Sequence, residues 1–129
     1  KRIALYNVTI DKGIWGEQQP ESDHFIDNKL STTGDINGRH WRETKNYVTY
    51  TMKSNGAKAI LVTYIPNKER NAKVLINGKE IGKIASSENG NEAVARIEYN
   101  STEPTFKVTI AKDSSDTTPR IFEVRIVNK

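Results

Sequence analysis

The chain has 129 residues, with 20 Lys and Arg against 16 Asp and Glu, a formal net charge of +4 and no cysteine. Its size predicts one domain that buries roughly two-thirds of the surface its unfolded form exposes, and the missing cysteines exclude disulfides, thiolate nucleophiles and cysteine-ligated zinc. Apolar residues make up 35% and no apolar run exceeds Ala59-Ile60-Leu61-Val62, too short for a membrane span or a signal-peptide core.

In chain order, the first predicted element is a strand over residues 3–10. It opens almost at Lys1 with no initiator Met, so the chain reads as a fragment of a larger multidomain protein or as a processed product. Residues 13–43 follow, broken by Gly, Pro and Asn yet carrying Trp15, Phe25, Ile26, Leu30, Ile36 and Trp41. That mixture predicts a long ordered loop, tied down by its apolar residues. From Tyr47 onward the apolar period is two, the pattern of strands with one buried face. Strands are predicted over 47–52, 58–65, 72–76, 80–84, 93–99, 106–110 and 122–126, separated by turn-forming clusters. Asn77-Gly78, between Val74-Leu75-Ile76 and Lys79-Glu80-Ile81, marks a type I′ hairpin because both turn positions need positive φ. The expected fold is all-β: an antiparallel β-sandwich, of jelly-roll type rather than immunoglobulin-like, since the Cys and Trp signature of the latter is absent.

The strand at 58–65 is apolar on both faces, with Ile60, Val62 and Tyr64 on one and Ala59, Leu61 and Ile65 on the other. Its outer face therefore needs a cover. Residues 13–43 folding across it, or a neighbouring domain or second copy, are the two candidates.

The chemistry-bearing residues concentrate in Gly16-Glu17-Gln18-Gln19-Pro20-Glu21-Ser22-Asp23-His24 and Gly38-Arg39-His40-Trp41-Arg42. Ser22-Asp23-His24 is not a hydrolase triad, because consecutive residues of an extended chain point to alternate sides. Glu17, Glu21 and Asp23 offer carboxylate pairs, but spacing of that kind is common. The two histidines lack metal-motif spacing. Arg42 is placed to make a bidentate pair with Glu21 or Asp23. Sugar binding fits the residue types better: aromatic faces for the apolar side of a pyranose or furanose, and amides, acids and Arg for its hydroxyls. Trp15, Gln19, Glu21, Asp23, His24, Trp41 and Arg42 are the candidates, as a carbohydrate site or as a structural polar cluster. No catalytic residue, metal or cofactor is assigned, and the scattered basic residues predict neither nucleic-acid nor membrane binding.

Those two motifs, with Tyr47, Tyr50 and Val74-Leu75-Ile76-Asn77-Gly78, resemble the C-terminal β-sandwich module of bacterial β-L-arabinofuranosidase-type glycoside hydrolases, families 127 and 146. The resemblance implies an upstream (α/α)6 catalytic domain in the same chain, a secreted or periplasmic setting in polysaccharide breakdown, and a module without catalytic residues of its own. The expected role is a structural one, packing on the catalytic barrel or mediating a homodimer. Its alternative is recognition of an arabinose-containing plant glycan.

Overall fold

A computed structural model describes residues 7–9, 21, 25–54 and 56–127. The strands are β1 (Asn7–Thr9), β2 (Phe25–Ile36), β3 (Arg39–Lys53), β4 (Ala59–Ile65), β5 (Ala72–Ile76), β6 (Lys79–Ile84), β7 (Ala93–Glu98), β8 (Thr105–Lys112) and β9 (Arg120–Val127). All pairings are antiparallel, in the order β6-β5-β8-β3-β9-β4-β7, with β1 added on β9 and β2 on β3. The molecule is an antiparallel β-sandwich, and β3 serves both of its layers. Its second half, from Tyr47 to Lys53, pairs with β8, whereas Arg42 in its first half pairs with Ile121 of β9.

The change of layer falls at a bulge. Lys29 opposes Tyr47 but Ser31 opposes Thr44, so β3 carries an extra residue there, and Leu30 on β2 takes φ 56°. A bulge increases local twist and re-aims the strand. Buried Thr44 holds it, donating from Oγ1 to the Lys29 carbonyl at 2.6 Å and accepting the Asn46 N–H at 2.9 Å. Its backbone exchanges two bonds with Thr118, one to the hydroxyl at 3.0 Å and one from the amide at 2.9 Å.

The core follows from the alternation. Val48, Tyr50 and Met52 of β3, Ile60 and Val62 of β4, Val74 of β5, Val108 and Ile110 of β8, and Val124 of β9 are all buried between the layers. Each such side chain contributes on the order of 1.5–3 kcal/mol relative to exposure. Asn77 and Gly78 have φ 50° and 86°, as the predicted hairpin requires.

The expectation of a long loop over 13–43 is corrected for its described part. Residues 25–36 and 39–43 are strand, forming with the rest of β3 a long hairpin turned by Asn37 and Gly38 at φ 52° and 82°; residues 13–20 and 22–24 lie outside the described residues. The hairpin is polar because β2 is exposed from Asp27 to Leu30 and again over most of its second half, so one face is never buried and the apolar alternation never appears.

The outer face of β4 is partly shielded within its own sheet. Ala59 is buried and Leu61 half-buried, and Leu61 sits in register between Arg96 of β7 and Arg125 of β9. Those long side chains flank Leu61 on neighbouring strands, with their heads engaged by Glu98 at 2.6 Å and Glu123 at 3.5 Å. The described part of residues 13–43 lies beside β9, not across β4. Val94 of β7 is 56% exposed on the same face.

Candidate functional site

Of the predicted cluster, the structure brings Glu21 and Arg42 together; Trp15, Gln19, Asp23 and His24 lie outside the described residues. Arg42 makes the bidentate contact, Nε to Oε2 at 2.6 Å and Nη2 to Oε1 at 2.8 Å. Its Nη1 donates to Ser31 Oγ at 2.7 Å, and Ser31 donates onward to Asn28 Oδ1 at 2.7 Å. The fully buried Tyr50 donates its hydroxyl to Glu21 Oε2 at 2.6 Å. Both Glu21 oxygens are thus engaged, and the side chains of Glu21 and Arg42 are only 14% and 16% exposed. This is a part-buried anchor in which both carboxylate oxygens are already engaged.

Its electrostatics follow from burial. Burial pushes the Tyr50 hydroxyl well above its ordinary value of 10, and the Glu21 charge and hydrogen bond push it further, with Arg42 acting in the opposite direction. Burial alone depresses Arg42, but the hydrogen bond and charge of Glu21 outweigh it and the guanidinium is held above its usual value. A raised folded-state pKa means the fold favours the protonated phenol. That stabilisation is complete below the unfolded value near pH ~10 and is lost as pH rises through the folded value. Urea midpoints measured from about pH 9 to 11 are therefore expected to fall more steeply for the wild type than for Tyr50→Phe. Equal slopes would contradict the assignment.

Trp41 points to the other side of β3. It pairs with Gly34 of β2, and its six-membered ring lies where a Gly34 side chain would be. The Arg120 guanidinium stacks on the indole 4.3 Å from its centroid, and Trp41 Nε1 is buried with no hydrogen-bond partner among the described residues. Glu43, two residues on, receives Arg70 at 2.8 Å and Arg120 at 3.1 Å. Arg39 lies over the Phe122 ring at 4.1 Å and pairs with Glu92. Trp41 is therefore a braced element of an aromatic and basic sheet face, not a freely presented stacking platform.

Beside this face the β4–β5 and β8–β9 loops form a cleft of about 490 Å³, lined by Asn67, Glu69, Arg70, Ser114, Ser115, Asp116 and Thr117. A smaller recess lined by Ile65, Asn67, Arg70 and Arg120 adjoins it. Asn71 holds the cleft's shape: its Oδ1 accepts the Ser114 and Ser115 N–H groups at 2.9 and 3.2 Å, its Nδ2 donates to Ser114 Oγ at 2.8 Å, and its own N–H reaches Ser115 Oγ at 2.9 Å. Asn67 tethers the β6–β7 loop through the Ser87 N–H at 3.1 Å. The cleft presents carboxylates, an amide, hydroxyls and a guanidinium on a braced frame, the donor and acceptor set that reads a polyol. In the sequence, Asp113 to Pro119 is one of the turn-forming clusters between strands, and its one signal is a density of Ser, Thr and Asp that solvated loops share.

The model of the family of unknown function DUF6805 matches residues 4–127. No curated protein matches the chain. Among solved structures, a family 35 carbohydrate-binding module from an environmental isolate superposes with a TM-score of 0.67 at 14% identity, covering 97% of this chain and 93% of that one. A family 35 module from Clostridium thermocellum gives 0.64 at 12% identity, with 78% and 90% covered. The family 35 module of Cellvibrio japonicus Abf62 gives 0.63 at 16%, with 81% and 86% covered. At these identities the likeness shows the fold alone, a jelly-roll-like sandwich.

Proposed function

This chain belongs to the family of unknown function DUF6805, and we propose that it is a non-catalytic carbohydrate-binding module whose glycan site is the cleft between the β4–β5 and β8–β9 loops. The observation that carries this reading is the cleft itself: Glu69, Arg70, Asp116 and Asn67 converge on one braced hollow of a size suited to a small ligand. The fold shared with carbohydrate-binding modules supports it. Within the predicted cluster, Glu21 and Arg42 brace the fold, since Glu21 is held by Arg42 and Tyr50 and offers no open carboxylate for acid or base work.

The resemblance to the accessory module of β-L-arabinofuranosidase-type hydrolases supports an arabinose-containing plant polysaccharide as ligand and a secreted or periplasmic glycoside hydrolase as parent, with this chain as one module of it. A second reading, packing against an upstream (α/α)6 domain or a second copy, draws on Val94 at 56% exposed. Because Arg96 and Arg125 already flank Leu61 on that face, the sugar reading is the better supported.

Affinity electrophoresis and titration calorimetry with arabinan-, xylan- and galactan-derived oligosaccharides test it. Binding at millimolar to micromolar Kd is expected, about −4 to −8 kcal/mol. Glu69→Ala and Asp116→Ala, both at exposed positions, should each weaken it about tenfold, or about 1.4 kcal/mol, without changing stability. Absence of binding to any of these glycans at millimolar ligand sinks the reading.

A further inference from the structure

The outer face of the other layer carries a second hollow. Residues directly opposite in an antiparallel sheet share a face, so the register sets Asp27, Thr49, Thr109 and Leu75 in one row and Lys29, Tyr47, Ala111 and Lys73 in the next. Thr49 of β3 and Thr109 of β8 make the floor of the hollow, with Asp27 of β2, the Asn77-Gly78 turn and Lys107 of β8 around it. The resulting groove has a volume of about 460 Å³ and is lined by Asp27, Thr49, Asn77, Gly78, Lys107 and Thr109. Tyr47 lies in the adjoining row on the same face, its hydroxyl donated to Asp27 Oδ2 at 2.6 Å. The Asn77-Gly78 turn is tied to β8, Asn77 Oδ1 accepting the Lys107 N–H at 2.9 Å. The Thr49 and Thr109 hydroxyls meet across the floor at 2.8 Å.

We propose that this groove is a second glycan-binding surface, which takes a short stretch of an extended polysaccharide chain; the proposal rests on the carbohydrate-binding reading above. A pre-oriented phenol ring offers an apolar face to a sugar ring. Asp27, Lys107 and the two threonine hydroxyls supply acceptors and donors for its hydroxyls. The groove is separate from the loop cleft. Asn71 frames the cleft at one end of β5 and Asn77 frames the groove at the other, six residues apart, or about 20 Å along an extended strand. Two sites at that separation hold a polymer with higher apparent affinity than either holds a short oligosaccharide.

The test compares the wild type with Asp27→Ala/Lys107→Ala in the groove and Glu69→Ala/Asp116→Ala in the cleft. Each is followed by amide chemical-shift perturbation with arabino- and xylotriose and by pull-down on the insoluble parent polysaccharides. The expected result is two sets of perturbed amides, one removed by each double variant, and roughly a tenfold or greater loss of polymer affinity from either. Perturbations confined to the loop cleft, with the groove variant binding polymer as the wild type does, overturn the second surface and leave the carbohydrate-binding reading standing. Perturbations confined to the groove support the second surface and remove the cleft. A wild type that binds neither trisaccharide nor polymer overturns both.

Discussion

Arg42→Ala is expected to lower the unfolding free energy by about 1.5–3 kcal/mol, the scale of charge-assisted hydrogen bonds lost from a part-buried carboxylate. The size follows from what Arg42 holds. Glu21 receives two of its nitrogens and Ser31 a third, and Glu21 otherwise faces the Tyr50 hydroxyl in the core. Without the guanidinium, the carboxylate keeps, among the described residues, the neutral Tyr50 donor in place of a charged fork. Removing both charges in Glu21→Met/Arg42→Met should cost far less than Arg42→Ala, because an apolar pair of similar volume carries no desolvation penalty. Urea denaturation of Glu21→Met, Arg42→Met and the double variant gives the coupling directly. An Arg42→Ala protein within 0.5 kcal/mol of wild type, about the scatter of an ordinary surface substitution, would show that the anchor is not energetically coupled to the fold.

That anchor was half legible in the sequence. A bidentate Arg42 contact to an acid of the Glu21 region follows from residue type, but Tyr50 completes it from the opposite end of β3, and only the register of the sandwich brings it there. The strands from Tyr47 onward were legible because each has one buried face, so their apolar residues recur with period two. The β2–β3 hairpin was not, although Ile36-Asn37-Gly38-Arg39 repeats the pattern of Ile76-Asn77-Gly78-Lys79. Its turn obeys the same backbone rule, with Gly38 at φ 82° and Gly78 at φ 86°. The flanking residues differ. β5 buries Ala72, Val74 and Ile76, whereas β2 lies exposed along most of its length, so polar composition there reports position in the sandwich and not lack of structure. The loop cleft was illegible for a related reason: Asn67, Arg70 and Asp116 come from loops far apart in sequence, and each is unremarkable for a loop. The groove across β2, β3 and β8 needed the register itself, because outward-facing Thr49, Thr109 and Lys107 read simply as the wet side of their strands.

Gly34→Val makes the second strong prediction, a loss of about 1–3 kcal/mol or more from overpacking. Gly34 needs no unusual backbone; what it supplies is space. A Cβ at Gly34 would stand 2.3 Å from Trp41 Cζ2 and 2.8 Å from Cε2 and Cη2, far inside van der Waals contact. Either the strands separate or the indole swings away. If it swings away, it gives up its 4.3 Å stacking under Arg120, worth about 0.5–1 kcal/mol, and Arg120 loses one of the two contacts that hold it beside Glu43. The destabilisation should therefore be accompanied by a shift in tryptophan fluorescence. It should also shrink when the obstacle is removed, so that Gly34→Val/Trp41→Ala costs clearly less than the sum of its single variants. Additive losses would place the clash elsewhere. Because Arg120 also lines the recess next to the loop cleft, Gly34→Val should weaken glycan binding there while Arg42→Ala, acting through a different face of β3, lowers stability with little effect on the affinity of the folded fraction. The two faces of one strand thus separate what keeps the sandwich closed from what shapes its binding cleft.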